Sequence, residues 1–337
     1  MARVYVAYTG GTIGMARTEE GYAPLRGYLA DQLAGLPELR DPQMPAVDVH
    51  EYDTLLDSAN MTPVNWLEIA QDIAAHYDNY DGFVVLHGTD TLAYTASALP
   101  FMLEGLAKPV VVTGSQIPLA ELRSDGRVNL INSLLIASMP ELAEVAVVFG
   151  DRLLRGCRAQ KVEADGLSAF NSPNFPPLGR FGLTIDLRDD LLRPRPAPQS
   201  IHVQTLHNPP VAVLRLFPGI TADMLRTLLQ PPLRGLVLEA YGVGNGPERD
   251  TGFMAALREA CDRGVVIVVC SQCVRGAVDL NAYKTGSALA EAGVVSGGDM
   301  TTEAALAKLF YLFSRDLPTE TIRADMQRDL RGELTVD

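Results

Sequence analysis

The chain has 337 residues, 47% hydrophobic and 20% charged, with 28 Lys and Arg against 41 Asp and Glu for a formal net charge of −13. A chain of this length exceeds one ordinary core and calls for two domains, and its composition is that of a packed protein rather than a disordered one. So acidic a surface repels phosphate backbones and anionic bilayers, which argues against nucleic acid or membrane as a partner.

The opening residues MARVYVAYTGG run directly into strand-like sequence, without the apolar segment and small-residue cleavage site of a secretion signal. No window approaches the ~18 apolar residues that a membrane span requires. Four cysteines, Cys157, Cys261, Cys270 and Cys273, are too few for a disulfide framework in a chain of this size. Cys270 and Cys273 have C-x-x-C spacing, but no second Cys or His pair follows to complete a zinc site. Cys270 closes the apolar run Val265–Val269, so the pair is expected to be buried thiols, with no metal. A cytoplasmic location fits all of this.

In chain order, strands are expected at Arg3–Tyr8, Val47–Tyr52, Gly82–His87, Pro109–Thr113 and Glu144–Phe149. Helices are expected between them at Thr62–Tyr77, Thr91–Leu103 and Arg127–Met139. In the first of these, Thr62 can cap, Pro63 takes the first helical position, and Trp66, Ile69, Ala70, Ile73 and Tyr77 share a face. Strand–helix alternation with continuously apolar strands predicts a parallel sheet covered on both sides. Asp186–Ser200 then carries three prolines and six charges with little to bury, which reads as a linker. Alternation resumes with Val211–Phe217, Thr221–Gln230, Gly235–Tyr241, Gly252–Arg263 and Val265–Ser271, and helices at Thr301–Ser314 and Thr319–Arg331 close the chain. The fold class is therefore α/β. A larger N-terminal α/β domain, its sheet mainly parallel and flanked by helices, covers residues 1–185; a linker covers 186–205; a smaller C-terminal α/β domain covers 206–337.

Open α/β sheets bind ligands beyond the carboxyl ends of their strands. The first expected strand leads into Thr9-Gly10-Gly11-Thr12-Ile13-Gly14, the second into Asp57-Ser58, the third into His87-Gly88-Thr89-Asp90-Thr91, and the fifth into a run reaching Lys161. Each piece has a plainer reading. The glycines could serve a tight turn, Thr89 and Asp90 could cap the helix that follows, Lys161 could be a solvated lysine, and Ser58 an ordinary loop serine. The glycine segment fits neither G-x-G-x-x-G nor G-x-x-x-x-G-K-[ST], so a nucleotide is not expected. What favours a site is hydroxyls, a carboxylate and an amine gathered at one sheet edge.

Thr9–Gly14 and His87–Thr91 together resemble the two signature segments of the bacterial asparaginase/glutaminase family. Thr113-Gly114-Ser115-Gln116, Ser124-Asp125-Gly126 and Tyr241-Gly242-Val243-Gly244-Asn245 are similar to it as well. The likeness spans the whole chain and is nearest to the cytoplasmic type I L-asparaginases. It implies hydrolysis of the side-chain amide of L-asparagine, with Thr12 attacking the carbonyl and Tyr22 brought beside it by a closing loop. It further implies that Lys161 activates Thr89 or the attacking water. Asp90 would hold the α-ammonium, and Ser58 and backbone N–H groups, including the Gly88–Thr89 turn, the α-carboxylate. Asp57 would add a second negative contact. Ala59 stands where many relatives carry a polar residue, so contact with the ammonium should be weaker here. No cofactor is implied. The partner is the small-molecule substrate, and the resemblance implies a homodimer or dimer of dimers in which Asn245 is supplied in trans.

A glutamine-preferring member of the family is the nearest alternative; a tRNA-dependent amidotransferase subunit, expected to carry a further N-terminal domain, and a non-enzymatic amino-acid sensor are the others. Some type I relatives carry a second asparagine site near an arginine just before the Tyr-Gly segment. Glu239 occupies that position here, so a second site is not expected to form.

Overall fold

A computed structural model describes residues 1–19, 21–197, 200–282 and 284–336. The chain forms two compact units, Met1–Gln204 and Thr205–Asp337.

The first unit is built on one eight-stranded sheet. Across it the strands run Ile185–Leu187, Gly179–Phe181, Arg152–Arg155, Val145–Phe149, Val110–Thr113, Gly82–Leu86, Arg3–Gly10 and Ala46–Leu56. The last five are mutually parallel. Gly82–Leu86, Val110–Thr113 and Val145–Phe149 are buried along their whole length, as strands covered on both faces must be. The covering helices include Pro63–His76, Leu92–Met102 and Gly126–Ala137. In the first of these Trp66, Ile69, Ala70 and Ile73 are buried, as their spacing predicts. Asp72 on the same helix accepts hydroxyl protons from Tyr5 (2.9 Å) and Tyr52 (2.9 Å), tying the helix to two strands.

The other three strands are antiparallel additions that the sequence pattern does not announce. With three or four residues each they are too short for a clear alternation. The expected linker also takes part in the first unit. Asp186 and Leu187 pair with Arg180 and Gly179, and His202–Val203 pairs with Leu103–Glu104. Buried Glu144 holds Arg155 at 2.6 Å and also accepts the backbone N–H of Arg193 (3.0 Å), so a charged pair anchors the proline-rich segment. Of that segment, Pro198 and Gln199 lie outside the described residues.

The second unit holds four parallel strands in chain order, Val211–Arg215, Gly235–Ala240, Val266–Ser271 and Val295–Ser296. Cys270 is buried in the third of them, but that strand ends at Ser271 and leaves Cys273 exposed in the turn beyond. The expectation of two buried thiols therefore fails for Cys273. Burial pushes the Cys270 thiol up to about 12.

The final helix stops at Met326, short of the expected Arg331. Lys308, with no exposed side-chain surface, donates to the backbone carbonyls of Met326 and Arg328 and thereby takes acceptors that a continuing helix would use. It also pairs at 2.6 Å with Glu333, equally buried, which accepts the N–H groups of Leu330 (3.1 Å) and Arg331 (2.6 Å). Glu333→Ala would strand the ammonium in a dry interior, at an expected cost of about 3–5 kcal/mol in unfolding free energy. Urea denaturation checks this, and a loss under about 1 kcal/mol would mean that water reaches Lys308.

Candidate active site

Numbered along the chain, the five parallel strands stand in the order 2-1-3-4-5. In such a sheet the connections from strands one and three leave toward opposite faces, and a crevice opens between their carboxyl ends. Thr12 follows the first of these strands and Thr89 the third.

Two glycines let these turns meet. Gly11 has φ +86°, and a Cβ on it would lie 2.4 Å from the nitrogen of Gly88. A Cβ on Gly88 would in turn lie 2.6 Å from Ser58 Oγ. At Gly11 backbone packs directly on backbone in a left-handed conformation, and at Gly88 the chain packs on the Ser58 side chain, so a side chain at either position would force its neighbours apart.

Around this junction the polar side chains interlock. Lys161 Nζ donates to Thr89 Oγ1 (2.9 Å) and to Asp90 Oδ1 (2.8 Å). Thr89 directs its own proton to Gln116 Oε1 (3.0 Å), and the Gln116 amide nitrogen donates to the carbonyls of Ala164 (3.0 Å) and Gly166 (3.2 Å). Thr89 and Ser58 are buried, whereas the Asp90 side chain is 64% exposed. Ser58 Oγ accepts the N–H of Asp90 (3.3 Å), and Thr91 Oγ1 donates to the Ser58 carbonyl (2.7 Å). Exposed Asp57 caps the short turn Ser58–Asn60 by accepting the Ala59 N–H (3.0 Å). The N-cap of Leu92–Met102 is Thr91, so Thr89 and Asp90 stand ahead of the helix rather than capping it.

Thr12 opens the short turn Thr12–Gly14, half-buried, and its hydroxyl makes no hydrogen bond among the described residues. Tyr22 sits on the hairpin Met15–Thr18/Gly21–Pro24 and donates to Glu121 Oε1 (2.8 Å). Asn245 belongs to the second unit. Among the described residues no three His, Cys, Asp or Glu side chains gather as a metal site, and no helix is long and apolar enough to cross a membrane.

His87 is fully buried one residue before Gly88, and its role is readable from its partners. The Trp66 indole N–H donates to Thr95 Oγ1 (3.0 Å), Thr95 faces His87 Nε2 (2.8 Å), and His87 Nδ1 faces the Gly88 carbonyl (2.8 Å). An indole only donates and a carbonyl only accepts, so the threonine proton goes to Nε2 and the imidazole proton sits on Nδ1. The chain of bonds fixes the Gly88 peptide on which the crevice depends. Burial lowers the His87 pKa to about 4, so the ring is neutral in the folded protein at neutral pH. An unfolded chain protonates this histidine near pH 6.5. Stability from this group is therefore complete above about 6.5 and is lost as pH falls toward 4, with about 2 kcal/mol gone by pH 5. Urea titrations at pH 7 and 5 should show a smaller pH-dependent loss in His87→Gln than in the wild type; equal losses would assign the acid sensitivity elsewhere.

Two family models match the chain, the N-terminal asparaginase domain over residues 3–193 and the glutaminase/asparaginase C-terminal domain over residues 210–326. The chain belongs to the asparaginase family. It is 54% identical over 337 residues to L-asparaginase 1 of Escherichia coli, covering 99% of this chain and 98% of that relative. The crystal structure of L-asparaginase I from Vibrio cholerae matches with a TM-score of 0.92 at 48% identity, covering 99% of both chains. The thermostable L-asparaginase from Thermococcus kodakarensis matches at 0.89 and 37% identity, over 99% of this chain and all of the other.

Within this asparaginase fold, two resembling segments to which the sequence assigned no role prove to meet. The Asp125 carboxylate accepts the N–H groups of Gln116 (3.0 Å) and Ile117 (3.0 Å) and the Asn129 amide (3.2 Å). It thus sets the loop from which Gln116 reaches Thr89. Similarity marked both segments, but nothing in their spacing said that one anchors the other. Glu239, which stands where the resemblance leads one to expect an arginine, is itself engaged: it accepts from Thr302 Oγ1 (2.7 Å) and pairs with Arg215 (3.4 Å).

Proposed function

We propose that this protein is an L-asparagine amidohydrolase that yields L-aspartate and ammonia through an acyl-enzyme on a threonine. The carrying observation is the Thr89–Asp90–Lys161 cluster in a chain of the asparaginase family, on a turn that packs through Gly88 against Gly11, next to Thr12, whose hydroxyl has no partner among the described residues. Thr12 is the nucleophile. Its oxygen adds to the side-chain carbonyl, the amide nitrogen leaves with a proton as ammonia, and a water molecule then cleaves the ester and restores the hydroxyl. Two facts support this order: the Thr12 hydroxyl makes no hydrogen bond among the described residues, whereas Thr89 already contacts Lys161 and Gln116. Lys161 is the proton-transfer partner of Thr89 or of the water. Tyr22 serves beside Thr12 once its hairpin swings from Glu121 over the substrate, excluding water.

Asp90 and Asp57 face the α-ammonium; Ser58 and the N–H groups of the Gly88–Thr89 turn face the α-carboxylate. Fixed opposite charges would select a free amino acid over a peptide-linked amide. The working form is a homodimer or dimer of dimers in the cytoplasm, with Asn245 of one copy completing the site of its neighbour.

Ammonia release from asparagine and glutamine at matched concentrations tests this reading. One methylene separates the substrates, so asparagine should be favoured by about 10–200-fold. Faster glutamine turnover would favour the glutamine-preferring alternative, and no ammonia from either substrate would favour a sensor. The same titration should be hyperbolic in asparagine, because the engaged Glu239 carboxylate offers no grip to a second α-carboxylate. A Hill coefficient clearly above one would show that a second site survives.

A further inference from the structure

The segment Tyr241–Asn245 closes on itself beyond the strand Gly235–Ala240. Tyr241 N–H donates to the Asn245 carbonyl (3.0 Å), and the N–H groups of Asn245 (2.8 Å) and Gly244 (3.0 Å) return to the Tyr241 carbonyl. These bonds hold the Asn245 backbone but leave the aim of its side chain open. That aim is set from a distant element, because the hydroxyl of Thr285, in the first turn of the helix Lys284–Glu291, donates to Asn245 Oδ1. Asn245 Nδ2 has no partner among the described residues and lies on the side of Gly242, where a Cβ would stand 3.7 Å away.

We propose that Thr285 is a positioning residue for Asn245, locking the carboxamide so that its NH₂ group, rather than its oxygen, faces the ligand. Asn245 is then a donor to a carboxylate or carbonyl oxygen of the substrate and not an acceptor for its ammonium, since a carboxamide whose oxygen is turned toward Thr285 presents its N–H groups on the other side. The inference rests on the reading of Asn245 as a substrate-binding residue.

Four variants test it, with asparagine kinetics and thermal melting as readouts. Thr285→Val keeps the shape and removes the donor, so kcat/KM for asparagine should fall roughly tenfold, mainly through KM, with little change in Tm. Thr285→Ser should recover most of the loss. Asn245→Asp, which places a carboxylate oxygen where the donor stood, should be weaker still. Adding Thr285→Val to Asn245→Ala should cost nothing beyond Asn245→Ala alone. Wild-type kinetics in Thr285→Val, no recovery in Thr285→Ser, or near-normal KM in Asn245→Asp would each overturn the proposal. If Asn245→Ala is impaired while Thr285→Val is not, the positioning role alone is wrong; if Asn245→Ala behaves as wild type, the binding role falls with it.

Discussion

Thr12→Val should lose turnover by roughly 10³-fold or more, the scale on which loss of a covalent nucleophile acts, while asparagine still binds. Valine has nearly the shape of threonine, so the turn Thr12–Gly14 keeps its packing. The lost hydroxyl makes no hydrogen bond among the described residues, so its removal strands no buried partner. Stability should therefore shift by no more than about 0.5 kcal/mol. Calorimetry with asparagine and the inactive variant separates binding from chemistry. Retention of even a tenth of wild-type turnover would move the nucleophilic role away from Thr12.

Lys161→Met should lower turnover by about 10²–10⁴, the usual loss when a positioned acid–base group is removed. Methionine fills a similar volume, and the lysine side chain is 20% exposed, so the site should not collapse. Asp90 loses a partner but is 64% exposed, and water replaces the ammonium there at little cost. A Tm close to that of the wild type with a collapse in kcat is thus the expected pattern. Lys161→Arg sharpens the test. It keeps a positive charge beside Asp90 but does not give up a proton at working pH, so a proton-transfer role predicts that it stays nearly as slow as the methionine variant. Near-normal activity in the arginine variant would reduce Lys161 to an electrostatic anchor, and normal activity in both would make it an ordinary lysine.

The central parallel strands, unlike the exposed edge strand Ala46–Leu56, were legible in the sequence for one physical reason. A strand covered on both faces must be apolar at every position, and runs such as Gly82–Leu86 have no other economical use in a chain with this few charges. The three short antiparallel strands carry no such mark, and the proline-rich segment joins the first unit through Glu144 and a two-residue pairing far away in sequence. Cys273 escaped the burial of Cys270 because the strand ends between them, and strand ends are weakly encoded by composition.

For the candidate site, sequence alone determined which turns to inspect, since strand order places ligands beyond carboxyl ends, and the glycines beside Thr12 and Thr89 made close backbone approach possible. Only the tertiary structure decided the partnerships. Lys161 meets Thr89 across 72 positions, Gln116 meets it across 27, and Thr285 meets Asn245 across 40. Each bond depends on how strands and helices register against one another to within a fraction of an ångström. Local pattern specifies an element and its buried face, but it holds no information on which polar atoms two distant turns bring within 3 Å of each other.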